Sequence, residues 1–301
     1  MDTGLVKVHS PAKINLFLRV LAQENSGFHQ LETLFATLDF GDDLTLEEAG
    51  PGITLETDGL DMGPLEGNLV YRAATGFLEA SGVTAGVRVR IGKRIPLGGG
   101  LGGGSSNAAA TLLGLQALFP DTLDDGRLID LAGELGSDVP FFLSQSPLAL
   151  AWGRGTRLLP LPPLPAKPVL LALPPVQVPT PAAYRLLSHE RGKAPQSQSS
   201  QLFSLEALST WETVGDLARN DFETVVFRDS PLLGRIRADF QDRGPVLSLL
   251  SGSGSTLFAV FGDLETADAA KVKMEQSFPG VLFLLTSTQS RWTGPLVESG
   301  G

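Results

Sequence analysis

The chain has 301 residues, 42% of them hydrophobic and 19% charged, with 35 glycines, 21 prolines and no cysteine. That is apolar material for one large domain or two modest ones, and the lack of cysteine excludes a disulfide framework and a thiol nucleophile. A formal net charge of −10 argues against nucleic acid or an anionic membrane as partner. The first residues lack a basic region followed by an apolar core, and no apolar run reaches the ~18 residues of a membrane helix, so no signal peptide and a cytoplasmic address are expected.

In chain order, Val6 to His9 and Ile14 to Val20 read as strands, with Lys13 opening the second. A lysine at a strand edge is common, so this cation carries little by itself. Leu31 to Leu38, Leu44 to Glu47 and Ile53 to Thr57 read as further strands. Asn68 to Ala80 reads as a helix with Leu69, Ala73, Ala74, Phe77 and Leu78 on one face. Val87 to Ile91 alternates apolar and basic residues, as a half-exposed antiparallel strand does.

The stretch from Pro96 to Asn107 is the most informative. Six glycines fall within the seven positions Gly98 to Gly104, and Ser105 and Ser106 follow. Ala108 then opens a helix-forming run. Backbone amides in such a loop can turn toward an anion with no Cβ in the way, and the helix start adds unpaired N–H groups. Together they form a phosphate cradle. A Walker loop would need lysine where Ser105 stands. A dinucleotide fingerprint matches Gly98, Gly100 and Gly103, but the strand before it is not buried on both faces and no ribose-binding acid follows. A third type remains, a glycine loop closed by paired serines that open a helix.

Asp124 to Leu135 reads as another helix. In Gly136-Ser-Asp-Val-Pro140, Asp138 taken alone reads as a helix cap before a proline. The prolines from Pro160 to Pro168 read as a stiff connector near the middle of the chain. Val169 to Leu173 is a strand, His189 to Gln201 a polar surface loop, and Ser251 to Ser255 a glycine-bearing hairpin turn. A final strand–helix–strand unit ends the pattern, and no internal repeat is present.

These segments occur in this order in one family. The sequence resembles the GHMP small-molecule kinases through Pro11-Ala-Lys-Ile-Asn-Leu, the Lys93 to Ser106 loop, Gly136-Ser-Asp-Val-Pro-Phe-Phe and Ser251-Gly-Ser-Gly-Ser. Gly27-Phe-His-Gln-Leu-Glu-Thr33, Asn68-Leu-Val-Tyr-Arg-Ala73, Pro179-Thr-Pro-Ala-Ala-Tyr184 and Asn220-Asp-Phe-Glu223 narrow the resemblance. Of these, Gly27-Phe-His29 and Pro179-Thr-Pro181 point to the branch whose acceptor is a cytidine diphosphate conjugate of methylerythritol, in the non-mevalonate route to isoprenoids.

The resemblance implies a two-domain α+β fold. A ribosomal-protein-S5-domain-2-like N-terminal domain (1–160) would carry the ATP loop, a C-terminal α/β-sandwich domain (161–301) would follow, and the active site would lie in the cleft between them. It implies ATP as co-substrate with Mg²⁺, and a small-molecule acceptor as partner of a monomer or weak homodimer. Lys13 and Asp138 would meet at the acceptor hydroxyl, with Asp138 as general base or as a group that positions the hydroxyl. Pro96, Leu97, Gly98, Gly99, Gly100, Leu101, Gly102, Gly103, Gly104, Ser105 and Ser106 would wrap the ATP phosphates, with Ser105 or Ser106 also holding Mg²⁺. Asn68 and Lys93 would lie near the nucleoside of ATP.

On the acceptor side, Phe28 and Tyr184 would sandwich cytosine and His29 would meet the base edge. Asn15 and Thr180 would contact polar groups, and the turn from Ser251 to Ser255 would border the site. Three departures stand out. Phe28 replaces the branch's usual tyrosine, Glu24-Asn-Ser26 replaces Arg-x-Asp, and Asn107 follows the serine pair where aspartate is common.

Overall fold

A computed structural model describes residues 4–24, 27, 29–59, 67–192 and 204–298. Phe28 therefore lies outside the described residues, as do Asn25, Ser26 and most of the polar stretch after Arg191.

The first two strands are longer than sequence patterning suggests. β1 runs Leu5–Gln23 and β2 runs His29–Ala49, paired antiparallel along nearly their whole length. The pattern was broken at Pro11, which cannot donate to the ladder, and the pairing register shifts between Pro11 and Lys13. Lys13 N donates instead to Leu101 O at 2.9 Å, so the irregularity in β1 is where the glycine loop attaches.

β3 (Ile53–Gly59), α1 (Leu69–Ser81) and β4 (Gly86–Lys93) follow. β4 pairs antiparallel with β2, as its alternation suggests, and parallel with β3. α2 (Gly103–Leu118), α3 (Asp125–Leu135) and α4 (Val139–Leu143) lead to β5 (Leu148–Gly153) and β6 (Arg157–Pro160). β5 pairs with the first part of β2 and β4 with its last part, so β2 serves two neighbours along one edge. The four helices cover one face of this sheet around Phe77, Phe141, Leu112 and Val89.

After the proline connector comes β7 (Pro168–Leu173), then α5 (Thr180–Arg191), α6 (Trp211–Leu217), α7 (Glu223–Asp229) and α8 (Pro231–Gln241). His189 to Arg191, read as loop from their polarity, form the last turn of α5. β8 (Leu247–Leu250), β9 (Leu257–Val260), α9 (Leu264–Ser277), β10 (Leu282–Ser287) and β11 (Leu296–Glu298) complete the chain. The second sheet has the order β10-β7-β9-β8 and is antiparallel throughout. β11 returns to pair with β1 in the first sheet.

The two halves share a core. Ile14, Leu16 and Phe17 of β1 pack with Val169, Leu171, Phe258 and Val260 of the second sheet, and Leu101 from the glycine loop joins them. This sandwiching explains why β1 alternates only at its start and is buried on both faces from Ser10 to Val20.

Candidate active site

A cleft of about 390 Å³ opens along this seam, lined by the glycine loop, Lys13, Asn15, Asp138, Thr180, Tyr184 and Ser253 among others. The loop's shape follows from three residues. Leu101, at the centre of the glycines, is 1% exposed and anchors the loop in the shared core. Gly102 sits at the cap of α2 with φ +72°, and a Cβ there would lie 3.0 Å from both Lys13 Cγ and Phe142 Cζ. Gly100, at φ +79°, passes so close to the turn after β8 that a Cβ would lie 2.1 Å from Ser251 O. Only glycine fits both the conformation and the space at these two positions.

α2 begins at Gly103, inside the glycine run and ahead of the expected Ala108. Gly103, Gly104 and Ser105 of its first turn therefore line the cleft. The N–H groups of a helix's first turn and its positive end are suited to holding an anion there.

Beneath the loop lies a buried polar network. Asp42 Oδ2 accepts from Lys93 Nζ at 2.5 Å and from Asn107 Nδ2 at 2.9 Å, and its Oδ1 accepts from Arg94 N and Ile95 N at 2.6 and 2.8 Å. Asn107 Nδ2 also donates to Ser10 Oγ at 2.9 Å, and Ser10 donates to Ser106 Oγ at 2.8 Å. The departure at 107 thus has a local reason: its amide donates to Asp42, where an aspartate would set two carboxylates together. Burial pushes the Lys93 ammonium below its ordinary pKa, with Asp42 pulling it back up. Lys93 supports the loop from below and is absent from the cleft lining, as are Ser106 and Asn68. Asn68 caps α1, accepting from Val70 N at 2.9 Å, while its neighbour Leu69 reaches the cleft.

Lys13 and Asp138 come together. Lys13 Nζ lies 3.6 Å from Asp138 Oδ2, with the lysine side chain 5% exposed and the aspartate 31%. The ammonium also donates to Asn15 Oδ1 at 2.9 Å and lies 5.2 Å from the Phe35 ring centroid. Asp138 precedes α4 with Pro140 in its first turn, yet its side chain makes no cap hydrogen bond. The capping role that its sequence context suggests is not filled, and the carboxylate is left for the cleft.

At the other end, Thr180 opens α5 and its hydroxyl lies 2.9 Å from Ser253 Oγ in the turn after β8. Tyr184 stacks on His29, with centroids 4.6 Å apart and rings 26° from parallel, and it meets Phe222 edge-on. His29 Nε2 is 2.9 Å from Ser188 Oγ. Burial, then the Arg191 charge, lowers the imidazole's pKa. Burial and the Asp138 charge push the Tyr184 phenol up to about 12, so it stays protonated. His29 itself belongs to a small neighbouring pocket against α5, and of this pair only Tyr184 lines the main cleft.

Several contributors carried little sequence signal. Thr33 accepts from Asn15 Nδ2 at 2.8 Å and donates to Phe17 O at 2.7 Å, fixing the Asn15 carboxamide. Asp42, fully buried beneath the loop, has no motif around it that marks this role. Among the described residues no three His, Cys, Asp or Glu side chains gather as a metal site. Ser105 and Asp138 are among the oxygen donors that line the cleft. That set suits Mg²⁺, which keeps several waters and binds through one or two protein oxygens and substrate phosphates.

Comparison with known proteins gives a consistent result. The GHMP kinases N terminal domain matches residues 68–146, and the GHMP kinases C terminal domain matches 204–280. The chain is similar to the 4-diphosphocytidyl-2-C-methyl-D-erythritol kinase of Solibacter usitatus, at 42% identity over 84% of this chain and 80% of the relative. It is 39% identical to that of Deinococcus radiodurans, over 97% of this chain and 95% of the relative. A crystal structure of 4-(cytidine 5'-diphospho)-2C-methyl-D-erythritol kinase superposes with a TM-score of 0.78 at 36% identity, covering 98% of this chain and 100% of the other.

Proposed function

This chain belongs to the 4-diphosphocytidyl-2-C-methyl-D-erythritol kinases, a branch of the ATP-dependent GHMP kinases, and from that membership we propose how its cleft works. The reaction is transfer of the γ-phosphoryl group of ATP to the 2-hydroxyl of 4-(cytidine 5'-diphospho)-2-C-methyl-D-erythritol, giving the 2-phosphate and ADP. It serves the non-mevalonate route to isoprenoid precursors, in the cytoplasm. The observation that carries the reading is the Lys13–Asp138 pair, held in the same cleft as the glycine loop and facing the start of α2.

The acceptor oxygen forms its bond to the γ-phosphorus as the bridging bond to ADP breaks. Asp138 accepts the hydroxyl proton, by hydrogen bond at first and by transfer as the new bond forms. Lys13 orients the hydroxyl and balances the charge that gathers there. In a loose phosphoryl-transfer transition state, positioning of this kind contributes more than base strength. The loop amides, the first turn of α2 and Ser105 bind the phosphates against the overall charge of −10. Mg²⁺, when bound with ATP through Ser105, would neutralise charge on the phosphate oxygens.

Cytosine stacks on Tyr184, with His29 behind the ring, and Thr180 and Ser253 meet the polar part of the acceptor. Lys93 acts on nucleotide binding through the loop it supports. The test is ADP release measured while the cytidyl acceptor is varied. Release should rise to saturation with the acceptor and be lost in Lys13→Ala. Release independent of acceptor would contradict the reading.

A further inference from the structure

Asn220 lies outside the cleft, buried where the chain ahead of α7 bridges to Leu18 of β1. Its carboxamide is fully engaged. Nδ2 donates to Leu250 O at 2.8 Å and to Gly252 O at 2.7 Å, and Oδ1 accepts from Phe222 N at 3.0 Å. The two carbonyls belong to the end of β8 and the start of the serine turn.

That turn bonds to itself through Ser251 N to Thr256 O and Gly254 N to Ser251 O. Both backbone groups of Gly252 are left for side chains from elsewhere. Asn220 takes the carbonyl, and Gly252 N donates to Asn15 Oδ1 at 2.9 Å. The same Asn15 oxygen accepts from Lys13 Nζ at 2.9 Å. A continuous path of hydrogen bonds thus runs from Asn220 through Gly252 and Asn15 to the ammonium beside Asp138.

Building on the kinase reading above, we propose that Asn220 is a positioning residue for phosphoryl transfer. It fixes Gly252 so that Asn15 holds the Lys13 ammonium in place at Asp138. Buried amides linked in series restrict one another, and a misplaced reacting group loses rate steeply. Asn220→Asp keeps the acceptor for Phe222 N but sets a carboxylate oxygen against two carbonyls. Asn220→Ala removes the donor without adding charge.

The experiment measures kcat for both variants in the otherwise unchanged protein and in an Asn15→Ala background, together with amide exchange of Gly252 by NMR. Each variant should lower kcat about 10-fold or more alone and less than about 3-fold in the Asn15→Ala background, because the path is already cut. Gly252 should exchange faster in both. An equal loss in the two backgrounds, or an unchanged Gly252 amide, would overturn the proposal. If Asn220→Asp does not fold, Asn220→Ala carries both readouts. The exchange arm needs no acceptor. A parent protein without turnover on the cytidyl acceptor would therefore defeat the functional reading alone, leaving Gly252 exchange to decide the role of Asn220.

Discussion

Gly100→Ala is the sharpest test of the seam between the glycine loop and the serine turn. The residue sits at φ +79°, where an alanine costs about 1–2 kcal/mol. Its Cβ would also lie 2.1 Å from Ser251 O, 3.0 Å from Ser251 C and 3.1 Å from Gly254 O. These neighbours are backbone, so the loop and the turn must move apart. Two hydrogen bonds cross that seam: Ser251 Oγ to Gly100 O at 3.0 Å and Thr256 N to Gly99 O at 3.1 Å. At about 0.5–1.5 kcal/mol each, their loss brings the total to about 2–5 kcal/mol. Gly98 is the control, since at φ +70° a Cβ there meets nothing within 4 Å and only the backbone strain remains. Thermal melting should place Gly100→Ala several degrees below Gly98→Ala, at about 2–4 °C per kcal/mol for domains of slightly smaller size. Calorimetry should show weakened ADP binding in Gly100→Ala. Equal melting temperatures for the two variants would refute the close approach.

Three further outcomes follow from the site. Asp138→Asn should keep its fold and ADP affinity while kcat falls by about 10² or more, as for loss of a group acting on the reacting atoms; near-normal turnover would remove Asp138 from the chemistry. Tyr184→Ala should raise KM for the cytidyl acceptor about 10-fold, from ~1–3 kcal/mol of lost stacking, and leave KM for ATP almost unchanged. Tyr184→Phe should be nearly silent, with no basic limb from the phenol below about pH 11, because its pKa is pushed up to about 12. The folded protein holds His29 below its ordinary 6.5, so the docked ring favours the neutral form and its contribution is complete above that pH. Folding stability should therefore fall as pH drops below 6.5, and His29→Gln, measured by thermal melting across pH, should flatten that limb.

Much of the fold was legible because the signals were local. The glycine run, the strand alternation and the proline connector each have a short-range physical cause. β1 and β2 were read in pieces because Pro11 and Gly41-Asp-Asp43 look like breaks, and only the structure shows the pairing resuming beyond them. The return of β11 to β1 depends on contacts almost 300 residues apart in sequence, which no periodicity records.

Lys13 and Asp138 were assigned from the family resemblance, since a lysine opening a strand and an aspartate before a proline have ordinary explanations. The pairing of Lys93 with Asp42, which holds the lysine beneath the loop, joins residues far apart in sequence and leaves no local pattern. Asn220 belongs to a segment that carries the resemblance, yet the sequence gives it no role, because a buried carboxamide is recognised only by its partners. The His29–Tyr184 stack was equally hidden, joining residues 155 positions apart.

The most direct test of the central claim is a competition among acceptors. The protein is incubated with ATP, Mg²⁺ and equimolar 4-(cytidine 5'-diphospho)-2-C-methyl-D-erythritol, homoserine and mevalonate, and the products are read by mass spectrometry and phosphorus NMR. The account predicts that the cytidyl compound alone gains one phosphate, as a monoester on the 2-hydroxyl, with one ADP formed for each. Phosphorylation of another alcohol at a comparable rate, or ADP formed with no phosphorylated acceptor, would contradict it.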